Sequence, residues 1–125
     1  MTTVHANSPS DAFSRLETMV MMAKLDLPSR FIRQQMASVI QLLVQTARLS
    51  DGTRKVTHIA EVVGLHDLQI QVQDIFVFEQ TGVGDDGRVL GRFRGTGVSP
   101  RFLERLHQLG LRLPPKLFEE VVPLR

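Results

Sequence analysis

Apolar residues recur at helical spacing near the start of the chain. Phe13, Leu16, Met19, Val20 and Ala23 fall three and four residues apart, which predicts a first helix from about Pro9 to Ala23. Ser8 or Ser10 can cap it, Pro9 suits its first turn, and Asp11 sits where the helix dipole favours negative charge. The run Met19-Val20-Met21-Met22 suits core filling or a subunit contact. The segment Leu25-Asp26-Leu27-Pro28-Ser29 breaks the pattern, because Pro28 disfavours a helical residue before it. A second stripe, Ile32, Met36, Val39, Ile40, Leu43 and Ala47, predicts a helix from about Ser29 to Leu49. Ser50-Asp51-Gly52-Thr53 reads as a turn.

Beyond that turn the period changes. Arg54 to Val63 is rich in β-branched residues, and Gly64-Leu65-His66-Asp67 reads as a connection. Leu68 to Gln73 alternates strictly between apolar and polar, and Asp74 to Glu79 continues extended. Asp86-Gly87 signals a hairpin, with Arg88 to Arg94 as its return strand. A third helix is expected from Pro100 to Leu109, stopped by Gly110 and burying Phe102, Leu103, Leu106 and Leu109. Pro114-Pro115 opens a last short helix, Lys116 to Val121. The division is a helical part, residues 1–50, and a β-rich part with terminal helices, residues 51–125, joined too tightly for a flexible linker.

Composition narrows the function classes. A chain of 125 residues that is 42% hydrophobic, with a mean hydropathy of -0.01, fits one soluble globular unit. No apolar run approaches the ~18 residues of a membrane span. Cysteine is absent, which excludes disulfides and thiolate metal sites. The net charge of +2 comes from scattered charges, and with seven Phe and no Trp or Tyr there is little to stack on bases. Nucleic acid is therefore not an expected partner.

The chemically able side chains gather in Val4-His5-Ala6-Asn7-Ser8-Pro9, followed by Asp11 and Arg15. Thr2, Thr3 and Val4 read as a short strand, so the local geometry is strand, polar corner, helix, a place where α/β folds collect ligands. His5 and Asn7 can hydrogen-bond a phosphate oxygen or a water, and Arg15 can neutralise charge. Their bland reading is a structural corner. Gly82 to Gly87 has the spacing of a phosphate loop, but Arg88-Val89 follows and the segment joins two strands, so it reads as a hairpin turn. His5, His58, His66 and His107 have no partners at metal-ligand spacing. Arg92 and Arg94 flank Phe93 and share one strand face, which suits a solvated face or a subunit contact.

Thr3-Val4-His5-Ala6-Asn7-Ser8-Pro9, Asp11-Ala12 and Ser14-Arg15-Leu16-Glu17-Thr18-Met19 together resemble the His box of the type II/IV secretion system ATPases, closest to the CpaF-like branch of Flp/Tad pilus assembly. The resemblance continues through Leu27-Pro28, Ile32-Arg33-Gln34-Gln35, Arg48 to Val56, Asp74 to Phe78, Gly95-Thr96-Gly97 and Pro100 to Leu103. It implies an α/β fold, the C-terminal portion of a RecA-like P-loop NTPase domain, with two long helices followed by a β-rich segment and short terminal helices. It also implies a hexameric ring at the cytoplasmic face of a secretion or pilus machine. Expected partners are its own or full-length ATPase subunits and the inner-membrane platform proteins, with a location that is cytoplasmic and peripheral to the inner membrane. By match, the histidine near the nucleotide that senses the γ-phosphate is His5, with Asn7 beside it. Arg15 is similar to an arginine that supports the ring's active site, and Arg33 is a weaker candidate.

The departures set the expected limits. A Gly-x4-Gly-Lys-Ser/Thr motif and an acidic Walker B segment do not occur in these residues, and Ser10 stands where the family often has Arg. ATP and Mg²⁺ are implied by the family, but a phosphate cradle, its Lys and the metal ligands are what phosphoryl transfer needs. The expectation is a C-terminal fragment that starts at the His box and hydrolyses no ATP alone. The alternative is a non-catalytic interaction module that docks on a full-length ATPase ring or a pilus partner. The apolar helix faces of such a fragment would lack cover, so marginal stability or self-association is expected.

Overall fold

The computed structural model describes residues 1–24 and 26–124; Leu25, where the predicted break between helices begins, and Arg125 lie outside the described residues. Residues 1–6 are irregular, and Thr2, Thr3 and Val4 do not form the expected strand because they pair with none of the sheet strands. Helix α1 runs Pro9–Met22 and helix α2 runs Ser29–Val39. Strands β1 (Leu42–Arg48), β2 (Arg54–His66), β3 (Gln69–Val83) and β4 (Val89–Gly95) follow. Helix α3 (Phe102–Gln108), a 3-10 helix (Pro115–Glu119) and strand β5 (Val121–Leu124) complete the order.

The second helix is half its expected length. Its residues after Val39 instead enter β1, with Ile40 already extended at φ -88 and ψ 120. The stripe through Leu43 and Ala47 satisfies both a helical and an alternating period. The tight turn at Leu49–Thr53 decides between them by bringing β2 back alongside, so that Leu43 pairs with Ala60 and Arg48 with Arg54. Each backbone group gains a ladder partner, and β-branched side chains gain packing on a pleated surface. Two long helices are therefore not found: α1 has 14 residues and α2 has 11.

The five strands form one sheet in the order β1-β2-β3-β4-β5, antiparallel throughout. Short turns join β1 through β4, and residues 96–120, with α3 and the 3-10 helix, connect β4 to β5. The parallel strands that a RecA-like domain implies are not among the described strands. Gly64, expected in a connection, sits instead at an irregularity within β2, and the chain reverses at Asp67 and Leu68 with φ of 48 and 65. At the opposite end of the sheet, Asp51 accepts hydrogen bonds from Thr53 Oγ1 and N and from Val89 N. These bonds, led by the Thr53 hydroxyl, bring its carboxyl down to about 2 and tie the first turn to the start of β4.

Helices α1 and α2 cover one face of the sheet. Phe13, Ile32 and Met36 form the buried cluster, with Leu16, Val20, Ile40, Leu43, Val62, Ile70 and Val72 packed around it. Met19, Met21 and Met22, read as core filling or a subunit contact, are exposed and fill no core, because the helix presents only its Phe13 side to the sheet. On the other face Phe76 stacks on Phe93 at 5.6 Å and meets Phe118 of the 3-10 helix at 5.8 Å. Gly95 is required there, since a Cβ would run into the backbone of Phe118. Buried Glu61 positions α3: its carboxylate accepts from Arg101 N (2.8 Å), Phe102 N (3.0 Å) and Gln73 Nε2 (2.9 Å). None of the α3 residues is buried, and Leu109, expected inside, is exposed. The final segment is a 3-10 helix followed by a strand that pairs with β4, and not the expected helix to Val121.

Candidate functional site

The polar corner before α1 is built by reciprocal capping. Ser8 is extended and its Oγ accepts from Asp11 N at 3.1 Å, while the Asp11 carboxylate reaches back to accept from Asn7 N at 2.9 Å. Both contacts satisfy N–H groups that a helix start leaves without partners. Asp11 also accepts from Arg15 Nε at 2.9 Å, one turn along. The Asn7 N–H first, and then the Arg15 guanidinium, hold the Asp11 carboxyl below its usual range. Asp11 thus stays an anion that fixes the direction in which Arg15 leaves the helix.

His5 and Arg15 come together. With Thr3, Val4, Thr18 and Met19 they line an open groove of about 520 Å³ along the outer side of α1. His5 is exposed and Arg15 keeps half of its side chain accessible, so both can meet a ligand. Asn7 is exposed but does not line the groove, and its backbone N–H is committed to the cap. The Gln45 side chain donates to Ala6 O at 2.9 Å and anchors the segment that carries His5 and Asn7 to β1. An imidazole, a guanidinium and the Thr3 hydroxyl suit the oxygens of an anion, whereas the Thr18 hydroxyl donates to Ser14 O at 3.0 Å.

A second recess, of about 320 Å³, lies on the inner side of α1, among Phe13, Glu17, Arg33, Met36 and Leu68. Its charged groups are occupied with one another. Glu17 accepts from the Ser29 hydroxyl and from Arg33 Nε at 2.9 Å, and Arg33 donates onward to Leu68 O at 2.8 Å. The Ser29 hydroxyl, followed by Arg33, holds the Glu17 carboxyl below its usual range although burial pushes the other way. Arg33 therefore clamps α1, α2 and the β2–β3 turn together and is not part of the His5 groove. Sequence reasoning did not single out Glu17 or Ser29. Their signal was an acid four residues after Phe13, within reach of the apolar stripe. Glu61 left a similar trace as the one acid inside β2.

No protein-family model matches the chain. Over 89 residues it is 32% identical to two proteins of Mycobacterium tuberculosis. They are the "Putative conjugal transfer protein MT3759" of strain CDC 1551 / Oshkosh and the "Putative conjugal transfer protein Rv3659c" of strain ATCC 25618 / H37Rv. The match takes in 70% of this chain and 24% of each relative, so the chain spans about a quarter of the length of the curated relatives it matches. Among the described residues no helix is long and apolar enough to cross a membrane.

Proposed function

We propose that the chain is the C-terminal portion of an ATP-driven motor for type II/IV secretion or Flp/Tad pilus assembly, in which it forms one wall of a nucleotide site. The supporting observation is the groove that holds His5 and Arg15 together beside a helix start. Similarity to proteins named for conjugal transfer favours the same broad class of transport machine. In this reading His5 donates a hydrogen bond to a terminal phosphate oxygen, and Arg15, steered by Asp11, offsets the charge that develops there. Asn7 shapes the corner through its backbone and offers its amide to solvent or nucleotide. The groove residues include no carboxylate, so magnesium ligands and a phosphate cradle would come from other parts of a longer RecA-like protein. Its place would be the cytoplasmic side of the inner membrane, in contact with other ATPase subunits and the platform proteins of the machine.

A mixing experiment tests the reading. The chain is combined with a full-length secretion ATPase whose own His box has been removed, and phosphate release is followed. Recovery of hydrolysis by the wild-type chain, and loss of that recovery with His5→Ala or Arg15→Ala, is the expected result. Binding to the ring with unchanged turnover would favour the second reading, a non-catalytic module that docks on the ring. The apolar residues left exposed near the end of α1 and just after α3, Met19, Met21, Met22 and Leu109, favour such docking.

A further inference from the structure

Strand β1 is the edge of the sheet and hydrogen-bonds to β2 alone. Val62 N donates to Gln41 O at 2.9 Å, and Leu49 N donates to Thr53 O at 2.8 Å. The odd-numbered residues of this stretch therefore bond inward, and Leu42, Val44, Thr46 and Arg48 aim their N–H and C=O groups outward. The same four residues put their side chains on the face opposite α1 and α2, because Leu43 packs toward the helices. Leu42 and Val44 are 45% and 60% exposed. Natural edge strands are usually blunted by a bulge, a proline or a covering segment. β1 has no proline, and the register shift in its pairing with β2, between Gln45 and Thr46, places the extra residue, Thr57, on β2 and leaves β1 itself regular. The N-terminal segment meets β1 through the side chain of Gln45, not along its backbone.

Charge breaks a second local rule on the same face. Arg48 and Arg54 are directly opposed across β1 and β2, both exposed. Like charges in that position repel. Among the described residues neither forms an ion pair, whereas Arg92 and Arg94 on β4, inside the sheet, share Glu79 at 3.0 and 2.8 Å. A hydrogen-bonding edge, two exposed apolar side chains and an unneutralised arginine pair lie in one line.

We propose that β1 is a docking edge for an extended segment of another polypeptide. That segment runs antiparallel to β1, sets apolar side chains beside Leu42 and Val44, and brings acidic residues over Arg48 and Arg54. Main-chain bonds supply affinity, and the arginine pair fixes direction, since an antiparallel guest must begin with its acidic end. A second copy of β1 is a poorer guest, because it carries no acidic residue to set against Arg48 and Arg54 and would place its own Arg48 beside Leu42. The inference is independent of the nucleotide-facing reading, since it uses no residue of the His5 groove.

The probe is a capped, fluorescent peptide with two glutamates followed by alternating valine and threonine, titrated into the full chain by anisotropy. Binding is expected, and N-methylation of the peptide amides that face β1 should abolish it, while methylation of the amides that face away should not. The double variant Arg48→Glu, Arg54→Glu should bind roughly tenfold more weakly. A peptide headed by two lysines should restore its binding. Absence of binding, indifference to N-methylation, or failure of the charge swap to reverse the preference in a variant with an unchanged circular dichroism spectrum would overturn the proposal. So would sedimentation showing a dimer whose Leu42–Arg48 amide protection vanishes on dilution, because the edge would then belong to a second copy.

Discussion

The two sides of α1 carry similar charged pairs with opposite consequences. On the inner side Glu17 and Arg33 join segments 16 residues apart, with side-chain exposures of 12% and 36%, and Ser29 and Leu68 complete the set. On the outer side Asp11 and Arg15 are one helical turn apart, with exposures of 33% and 50%. The inner pair holds the tertiary structure because its loss would leave a buried carboxylate or a half-buried cation without a partner. The outer pair is local, solvated and screened, so it orients a side chain without anchoring the fold. The same chemistry is structural where it links distant segments out of water, and available for ligands where it does not.

The largest way to break this comparison is through the apolar floor of the inner side. Phe13→Ala removes a buried ring from the core and should lower the unfolding free energy by about 3–4 kcal/mol in urea titrations. Glu17→Ala should cost about 2 kcal/mol by the same measurement, since Arg33 loses its anion and Ser29 its acceptor. An unchanged urea midpoint for Glu17→Ala would place the inner pair in the same class as the outer one.

Acid sharpens the contrast next. Glu17 is held below its ordinary value of 4.5, so its contribution is complete above that value and is lost as pH falls through the lowered folded value. Asp51 behaves the same way, from 3.8 unfolded to about 2 folded. Stability measured by thermal melts should therefore decline from about pH 4.5 downward, and Glu17→Gln and Asp51→Asn should each flatten part of that decline. The smallest effects belong to the outer side. His5→Ala and Arg15→Ala should leave the urea midpoint at its wild-type position while abolishing any recovery of hydrolysis in the mixing experiment. A large drop in stability for either would make the groove part of the scaffold.

Much of the local structure could be read from residue patterns. Ser8-Pro9 with Asp11 marked the start of α1, Leu68 to Gln73 marked the alternating part of β3, and Asp86-Gly87 marked the β3–β4 hairpin. The candidate site was partly legible. His5 and Arg15 do share a groove, whereas Asn7 stands outside it and Arg33 belongs to the inner clamp. Those two could not be sorted in advance, because spacing along a helix gives the face of a residue but not what the opposite element brings to meet it.

The sequence by itself determined where α1 starts, where the β3–β4 hairpin turns and which chemistry gathers at residues 5–15. These depend on capping, backbone conformation and neighbours within one or two turns, all of which are written locally. Only the tertiary structure decided the fate of residues 40–48, the exposure of Met19, Met21 and Met22, and the burial of Glu17 and Glu61. An apolar stripe at 42–48 satisfies two periods equally well, and the ladder offered by β2 resolves it. A carboxylate within an apolar stretch is tolerated only when donors from distant segments reach it, and those donors are assembled by the fold.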